Sequence, residues 1–148
     1  MKFIFTALFS LFLSTSAFAD PIMQPGIQRT DLAGMRIQGQ TGDTVYLVDA
    51  EGVLQPISSG GVFDQIFNNW TGIFRPDISG AAVGYGVGVG FDWHYLVKGS
   101  SPTVYFVMNG ILHPVTEAGM YKYNFNWSKI TTVGDNAISS SPMGVLFN

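Results

Sequence analysis

The sequence predicts a β-rich α+β domain of two pseudo-symmetric halves, each a β-hairpin followed by a short helix, with a glycine-rich strand between them. Two observations carry this. The stretch from Thr44 to Ile73 (TVYLVDAEGVLQPISSGGVFDQIFNNWTGI) aligns with Thr103 to Ile130 (TVYFVMNGILHPVTEAGMYKYNFNWSKI), leaving only Ala50 and Asn68 unmatched. Of the 28 aligned pairs 12 are identical, where average residue usage gives about two by chance. Between the copies, glycine alternates with valine, tyrosine and phenylalanine from Gly84 to Phe91, a period of two that reads as a strand.

Each copy dictates the same local structure. Thr-Val-Tyr-Φ-Val is rich in β-branched and aromatic residues and predicts a strand. In the second copy Asn109-Gly110 comes next, a two-residue hairpin signal because both positions accept positive φ. The first copy has a longer turn, from Asp49 to Gly52. The returning strands, 53–57 and 111–115, contain Pro56 and Pro114, which cannot donate to a ladder and should face an edge or a bulge. Val62, Phe63, Ile66 and Phe67 then trace a buried helical face, so short helices are expected over 61–67 and 117–123. Ser58 or Ser59, and Thr116, are the N-cap candidates. A tryptophan and a further extended segment close each unit.

The first nineteen residues predict a cleavable signal peptide. Lys2 supplies the positive start, residues 3–13 an apolar run, and Ala17-Phe18-Ala19 the small-x-small cleavage pattern. The apolar run is well short of the ~20 residues that cross a bilayer. Cleavage after Ala19 leaves a single mature domain over 20–148, with repeat 1 over about 36–80 and repeat 2 over about 95–139. Losing Lys2 leaves six basic and ten acidic side chains, a net charge of −4. The six are scattered, which argues against nucleic acid as a partner. Cysteine is absent, so thiol chemistry and disulfide staples are excluded. Only 11% of residues are charged against a usual ~25%. Hydroxyl and amide side chains must therefore keep the surface wet, or a partner covers part of it.

The string Val-Tyr-x-Val, then Gly, Pro, an aromatic helix and Trp-Ser/Thr, resembles short tandem repeats of bacterial exported and cell-surface proteins. The resemblance covers the 30 and 28 residues of the two copies. It implies an extracellular or wall-associated protein without enzymatic activity, and supplies no functional residues.

Candidate sites come from the aromatics and the few titratable groups. Trp70 and Trp127 occupy equivalent places; a tryptophan kept in both copies reads first as a core plug and second as a sugar-stacking platform. Asn69-Trp70-Thr71 and Asn126-Trp127-Ser128 both fit the N-glycosylation sequon, though asparagine and hydroxyl residues here also suit local turn capping. Asp92, Trp93 and His94 end the glycine-rich stretch, Asp92 and His94 on one side of a strand and Trp93 on the other. His113 aligns with Gln55 and so marks a position expected to tolerate any polar group. Two histidines without ligand spacing predict neither metal nor cofactor, and no nucleophile-elbow motif is present.

The resulting expectation is an exported, non-enzymatic binding or surface-associated module for carbohydrate or cell-envelope material. Its alternatives are a self-associating assembly protein, a small outer-membrane barrel suggested by the alternating glycines, and a hydrolase.

Overall fold

A computed structural model describes residues 22–88 and 94–148. The signal-peptide reading, Asp92 and Trp93 lie outside the described residues. The elements in chain order are β1 (Ile22–Gln24), β2 (Arg36–Gln38), β3 (Val45–Val48), β4 (Leu54–Pro56), α1 (Gly60–Ile66), β5 (Val83–Gly84), β6 (Leu96–Lys98), β7 (Val104–Met108), β8 (Ile111–Val115), α2 (Glu117–Lys122), β9 (Thr131–Thr132) and α3 (Asp135–Ser139). The strands form a five-stranded sheet of order β1-β5-β4-β3-β2 and a four-stranded sheet of order β8-β7-β6-β9. The fold is α+β and β-rich.

The hairpins and helices stand where the residue pattern puts them. Asn109 and Gly110 have φ of 52° and 77°, the mirror-image turn that the right-handed strand twist selects. Ser59 accepts from the Val62 N–H at 3.2 Å and Thr116 from the Gly119 N–H at 3.0 Å, capping α1 and α2. In the longer first turn the Asp49 carboxylate takes over: Oδ1 accepts from Glu51 N (3.0 Å) and Val53 N (2.9 Å).

Aligned positions make the same strand pairs. Tyr46 faces Ile37 and Pro56 across β2 and β4, and Tyr105 faces Val97 and Pro114 across β6 and β8. Phe74 bridges Ile37 in parallel, as Thr131 bridges Val97. The correspondence runs past the expected ends at 80 and 139. Leu54 N donates to Ala82 O and Leu112 N to Pro142 O, both at 2.9 Å; Val87 N donates to Pro56 O (3.1 Å) and Phe147 N to Pro114 O (2.8 Å). Segments 82–87 and 142–147 thus run along β4 and β8 in the same way. Pro56 and Pro114 are consequently not at a free edge. Their missing N–H is tolerated because each faces an irregular segment that bonds only its carbonyl. Beyond 82–87 lies β1, whereas no described strand flanks 142–147. Pro142 stands there in place of Ala82, whose N–H bonds Ile27 O at 2.9 Å, and proline blunts a sheet edge.

Over its described residues, 84–88, the glycine-rich stretch departs from the expected strand; 89–91 lie outside the described residues. Among the described residues here only Val83–Gly84 forms a strand, within the first sheet. Gly86 and Gly88 have φ of 92° and 63°, so the chain turns instead of continuing a pleat. The glycines are there for close approach: a Cβ at Gly86 would meet Pro56 O, and one at Gly88 would meet the Asn109 side chain. Asn109, in the second hairpin, donates to Gly86 O at 2.7 Å and ties this stretch to the other half.

The halves meet in a shared core, beside which each keeps a smaller cluster, Leu32, Ile37, Val48 and Leu54 in the first and Val97, Val107 and Leu112 in the second. Phe67 and Phe125, aligned residues, form an antiparallel bridge flanked by reciprocal bonds, Asn68 N to Asn124 O (3.1 Å) and Asn126 N to Ile66 O (2.9 Å). Around it pack Leu47, Phe63 and Ile66 from one side and Leu96, Phe106 and Phe147 from the other. Arg36 adds a polar tie. Its guanidinium donates to Asn69 O and, at 2.7 Å, to Thr71 O, and lies 5.5 Å from the centre of the Phe67 ring. With its amide oxygen turned inward, Asn124 accepts from both terminal nitrogens at 2.9 Å. Arg36 is nearly buried and makes no ion pair among the described residues, and that burial pulls its pKa down from the usual value.

Tyr123 is fully buried with a hydroxyl that has no hydrogen-bond partner among the described residues. Burial first, and the Asp49 charge second, push its pKa up from 10.0 to about 12. The unfolded chain therefore ionises this phenol at lower pH than the folded one. The stability it contributes is fully present below pH 10.0 and is lost as pH rises through about 12. Tyr123→Phe is expected to leave the melting temperature at pH 7 unchanged or raised, because no hydrogen bond is lost. It should also flatten the fall between pH 10 and 12, worth up to about 2 kcal/mol. Melts followed by circular dichroism across that range check it; an equally steep fall in the variant would disprove the assignment. Tyr95, whose pKa burial also raises, supplies the residual slope.

Candidate functional site

The described surface carries two clefts built from the same positions in the two halves. One, of about 300 Å³, is lined by Asp43, Thr44, Val45, Ile57, Ser58, Ser59 and Trp70, with Gly60 and Phe63. The other, of about 420 Å³, is lined by Pro102, Thr103, Val104, Val115, Thr116, Glu117 and Trp127, with Pro114, Met120 and Leu146. The first seven of each are aligned pairs, in order. Each cleft lies between the start of a hairpin strand, the cap of the next helix and the indole beyond it.

The tryptophans are not core plugs. Trp70 is 48% exposed and Trp127 43%. The core is filled a few residues earlier by Phe67 and Phe125, and once those rings meet across the halves the indoles beyond them are carried out to the rim. Trp70 is held in place. It stacks on Phe63 with ring centres 3.8 Å apart and planes 19° apart, and its Nε1–H donates to Asp64 Oδ1 at 2.7 Å. The centre of the Trp127 ring lies 6.0 Å from that of Tyr121. Each comes after an asparagine that ties the turn. Asn69 Oδ1 accepts from Thr71 N (3.1 Å) and Thr71 Oγ1 (2.6 Å), and Asn126 Oδ1 accepts from Ser128 N (3.0 Å) and Ser128 Oγ (2.7 Å). This is turn capping of the expected kind, with the hydroxyls bonding the asparagine side chain where bonding to backbone was anticipated. It aims the indoles.

The two linings share part of their chemistry. Each cleft offers a half-exposed indole, apolar side chains, threonine hydroxyls and one acidic side chain, Asp43 or Glu117, and the first adds Ser58 and Ser59. Among the described residues no lysine or arginine lines either. Sequence reasoning singled out the tryptophans but not Asp43, Thr44, Ser58, Thr103, Thr116 or Glu117. Ser58 and Thr116 were visible only as helix caps and Thr44 and Thr103 only as aligned strand starts, while nothing in the sequence marked Asp43 or Glu117.

The two histidines occupy different surroundings. His94 is exposed and its Nδ1 lies 3.2 Å from Thr131 Oγ1. His113 lies elsewhere, fully buried, with Nδ1 3.1 Å from Val145 O and its ring edge-on to Phe147. It and the equally buried Gln55 pack against Gly144 and Gly84, so this position is confined by shape and does not accept any polar group. Among the described residues no group of three or more His, Asp or Glu side chains is placed to hold a metal. A third cavity, of about 380 Å³, lies over Arg36 and Lys122. Arg36 is already bonded to carbonyls there, and Lys122 Nζ donates to Asn148 O at 3.0 Å.

No protein-family model matches the chain, and neither the curated proteins nor the solved structures give a significant match.

Proposed function

We propose that the mature chain is an exported, non-enzymatic binding module for carbohydrate or cell-envelope material, using the clefts at Trp70 and Trp127. The observation that carries this is the repetition of the same lining positions, with a half-exposed indole, in both halves. An indole face suits the C–H face of a pyranose, and the adjacent hydroxyls and carboxylate suit its hydroxyl groups. The repeat supports descent from one copied unit, and a retained rim aromatic makes more sense as a contact than as packing. No helix of the described residues is long and apolar enough to cross a membrane, in keeping with export by the leader read in residues 1–19. The described strands span two to five residues, where a transmembrane barrel strand needs about nine to eleven.

The expected result is that the mature protein is retained on insoluble envelope polysaccharide. Trp70→Ala and Trp127→Ala should each weaken retention at least about tenfold, the worth of one stacking contact of about 1.4 kcal/mol. Because the indoles are on the rim, each variant should stay folded, with a melting temperature lower by only a few degrees. Retention on no glycan, or variants that bind like the parent, would reject the reading. Exposed Phe74 (52%), Tyr85 (59%) and Tyr121 (68%) favour self-association as the second reading; light scattering separates the two, since a stable monomer removes it.

A further inference from the structure

We infer that the protein is bivalent and selective by charge: each cleft takes one uncharged pyranose unit, so that one molecule joins two segments of a neutral polysaccharide and rejects acidic ones. This rests on the carbohydrate reading above and adds stoichiometry and ligand class to it.

Bivalency arises from where the clefts are built. Trp70 and Trp127 come just after Phe67 and Phe125, the two residues that bridge the halves. Both clefts therefore belong to one rigid core, and neither is completed by residues of the other half's cleft. Occupying one leaves the other open. Two weak sites at fixed separation bind a long chain far more tightly than a short one, because the second contact is intramolecular.

Charge selectivity arises from the linings. Asp43 marks one cleft and Glu117 the other, at non-equivalent positions of the two units, while among the described residues no cation lines either. The described cations that stand together, Arg36 and Lys122, line a different cavity and are bonded to carbonyls. A uronic acid or phosphodiester unit entering either cleft meets a like charge, whereas the hydroxyls of a neutral sugar can donate to that carboxylate. The clefts also differ. In the first the indole N–H is occupied by Asp64 and the lining holds more hydroxyls; in the second Pro102, Pro114, Met120 and Leu146 widen the apolar wall. The Trp127 cleft therefore suits a unit carrying an apolar substituent such as an N-acetyl methyl.

The test is calorimetric titration of the full mature chain with hexaoses of glucose, of N-acetylglucosamine and of galacturonic acid. A stoichiometry of two is expected for the best neutral hexaose, one for Trp70→Ala or Trp127→Ala, and none for the double variant. Galacturonate should bind at least about tenfold more weakly, and Asp43→Asn with Glu117→Gln, exposed changes that leave the core untouched, should narrow that gap. Long neutral polymer should bind about a hundredfold more tightly than its hexaose and be precipitated. A stoichiometry of one in the parent, or acidic and neutral hexaoses bound alike, overturns the inference while leaving carbohydrate binding intact. No heat and no fluorescence change with any sugar removes the underlying reading instead.

Discussion

Phe125→Ala is expected to destabilise the whole domain by about 3–5 kcal/mol and to lower its melting temperature by about 10–20 °C. The ring is fully buried. Its centre lies 4.9 Å from Phe106, 5.5 Å from Tyr123, 5.9 Å from Phe67 and 6.2 Å from Phe147. Truncation removes the transfer energy of the ring and leaves a hole whose neighbours belong to separate elements of both halves and cannot close it together. Because the Phe67–Phe125 bridge sits where the halves meet, the damage should not stay local. Tryptophan fluorescence, which reports Trp70, Trp93 and Trp127 together, and far-ultraviolet circular dichroism should give one coincident transition in parent and variant alike. Tyr121→Ala, at a 68% exposed site on the same turn of chain, is the control and should shift stability by no more than about 0.5 kcal/mol. A Phe125→Ala cost near that of the control, or two separated transitions, would mean that the halves hold independent cores.

Much of this architecture was legible because local signals agreed with each other. The β-branched runs, the Asn109-Gly110 turn and the Ser59 and Thr116 caps act over a few residues, and the sequence states them directly. The alignment carried the rest of the unit as far as Ile73 and Ile130. It stopped there because the segments beyond are constrained by shape. In 82–87 and 142–147 the shared requirement is a residue without a side chain at Gly84 and Gly144, flanked by residues that need only be small or apolar, and one matching glycine is too little to align on. The glycine alternation misled for a related reason: Gly86 and Gly88 are spaced like strand residues but are there to let the backbone turn and to admit Pro56 and Asn109. The tryptophans misled because size predicts burial only when no other ring takes the place first, and Phe67 and Phe125 do. As for the clefts, the indoles were visible from the outset. The hydroxyls and carboxylates beside them became candidates only when the folded chain brought each hairpin start against its helix cap.

Gly144→Ala should cost about 3 kcal/mol, and Gly84→Ala, at the equivalent place, about 2 kcal/mol. Neither glycine has positive φ, so an alanine there meets no backbone strain and the whole effect is steric. At Gly144 the new methyl would stand against His113 Cε1, with Nδ1 at 2.6 Å and Nε2 at 2.8 Å. The imidazole cannot swing aside, being fully buried with Nδ1 against Val145 O and its edge against Phe147. At Gly84 the methyl would stand against the end of Gln55, with Cδ at 2.5 Å. That side chain is longer and more pliable, but it is tied at both ends: Nε2 donates to Asp49 Oδ2 at 2.9 Å and Oε1 accepts from Gly86 N at 3.2 Å. The difference in cost reflects a rigid ring against a bonded but flexible amide. Removing the obstacle should reverse the loss unequally. In Gly144→Ala combined with His113→Ala the added methyl fills part of the space the ring leaves, and the two changes should be coupled by at least about 1.5 kcal/mol. In Gly84→Ala combined with Gln55→Ala the steric relief is offset by a buried Asp49 carboxylate deprived of its amide, so rescue should be smaller. Urea titrations of the four single and two double variants measure all of this. A Gly144→Ala protein as stable as the parent, or full rescue in the Gln55 pair, would mean that these segments lie against β4 and β8 less closely than the fold requires.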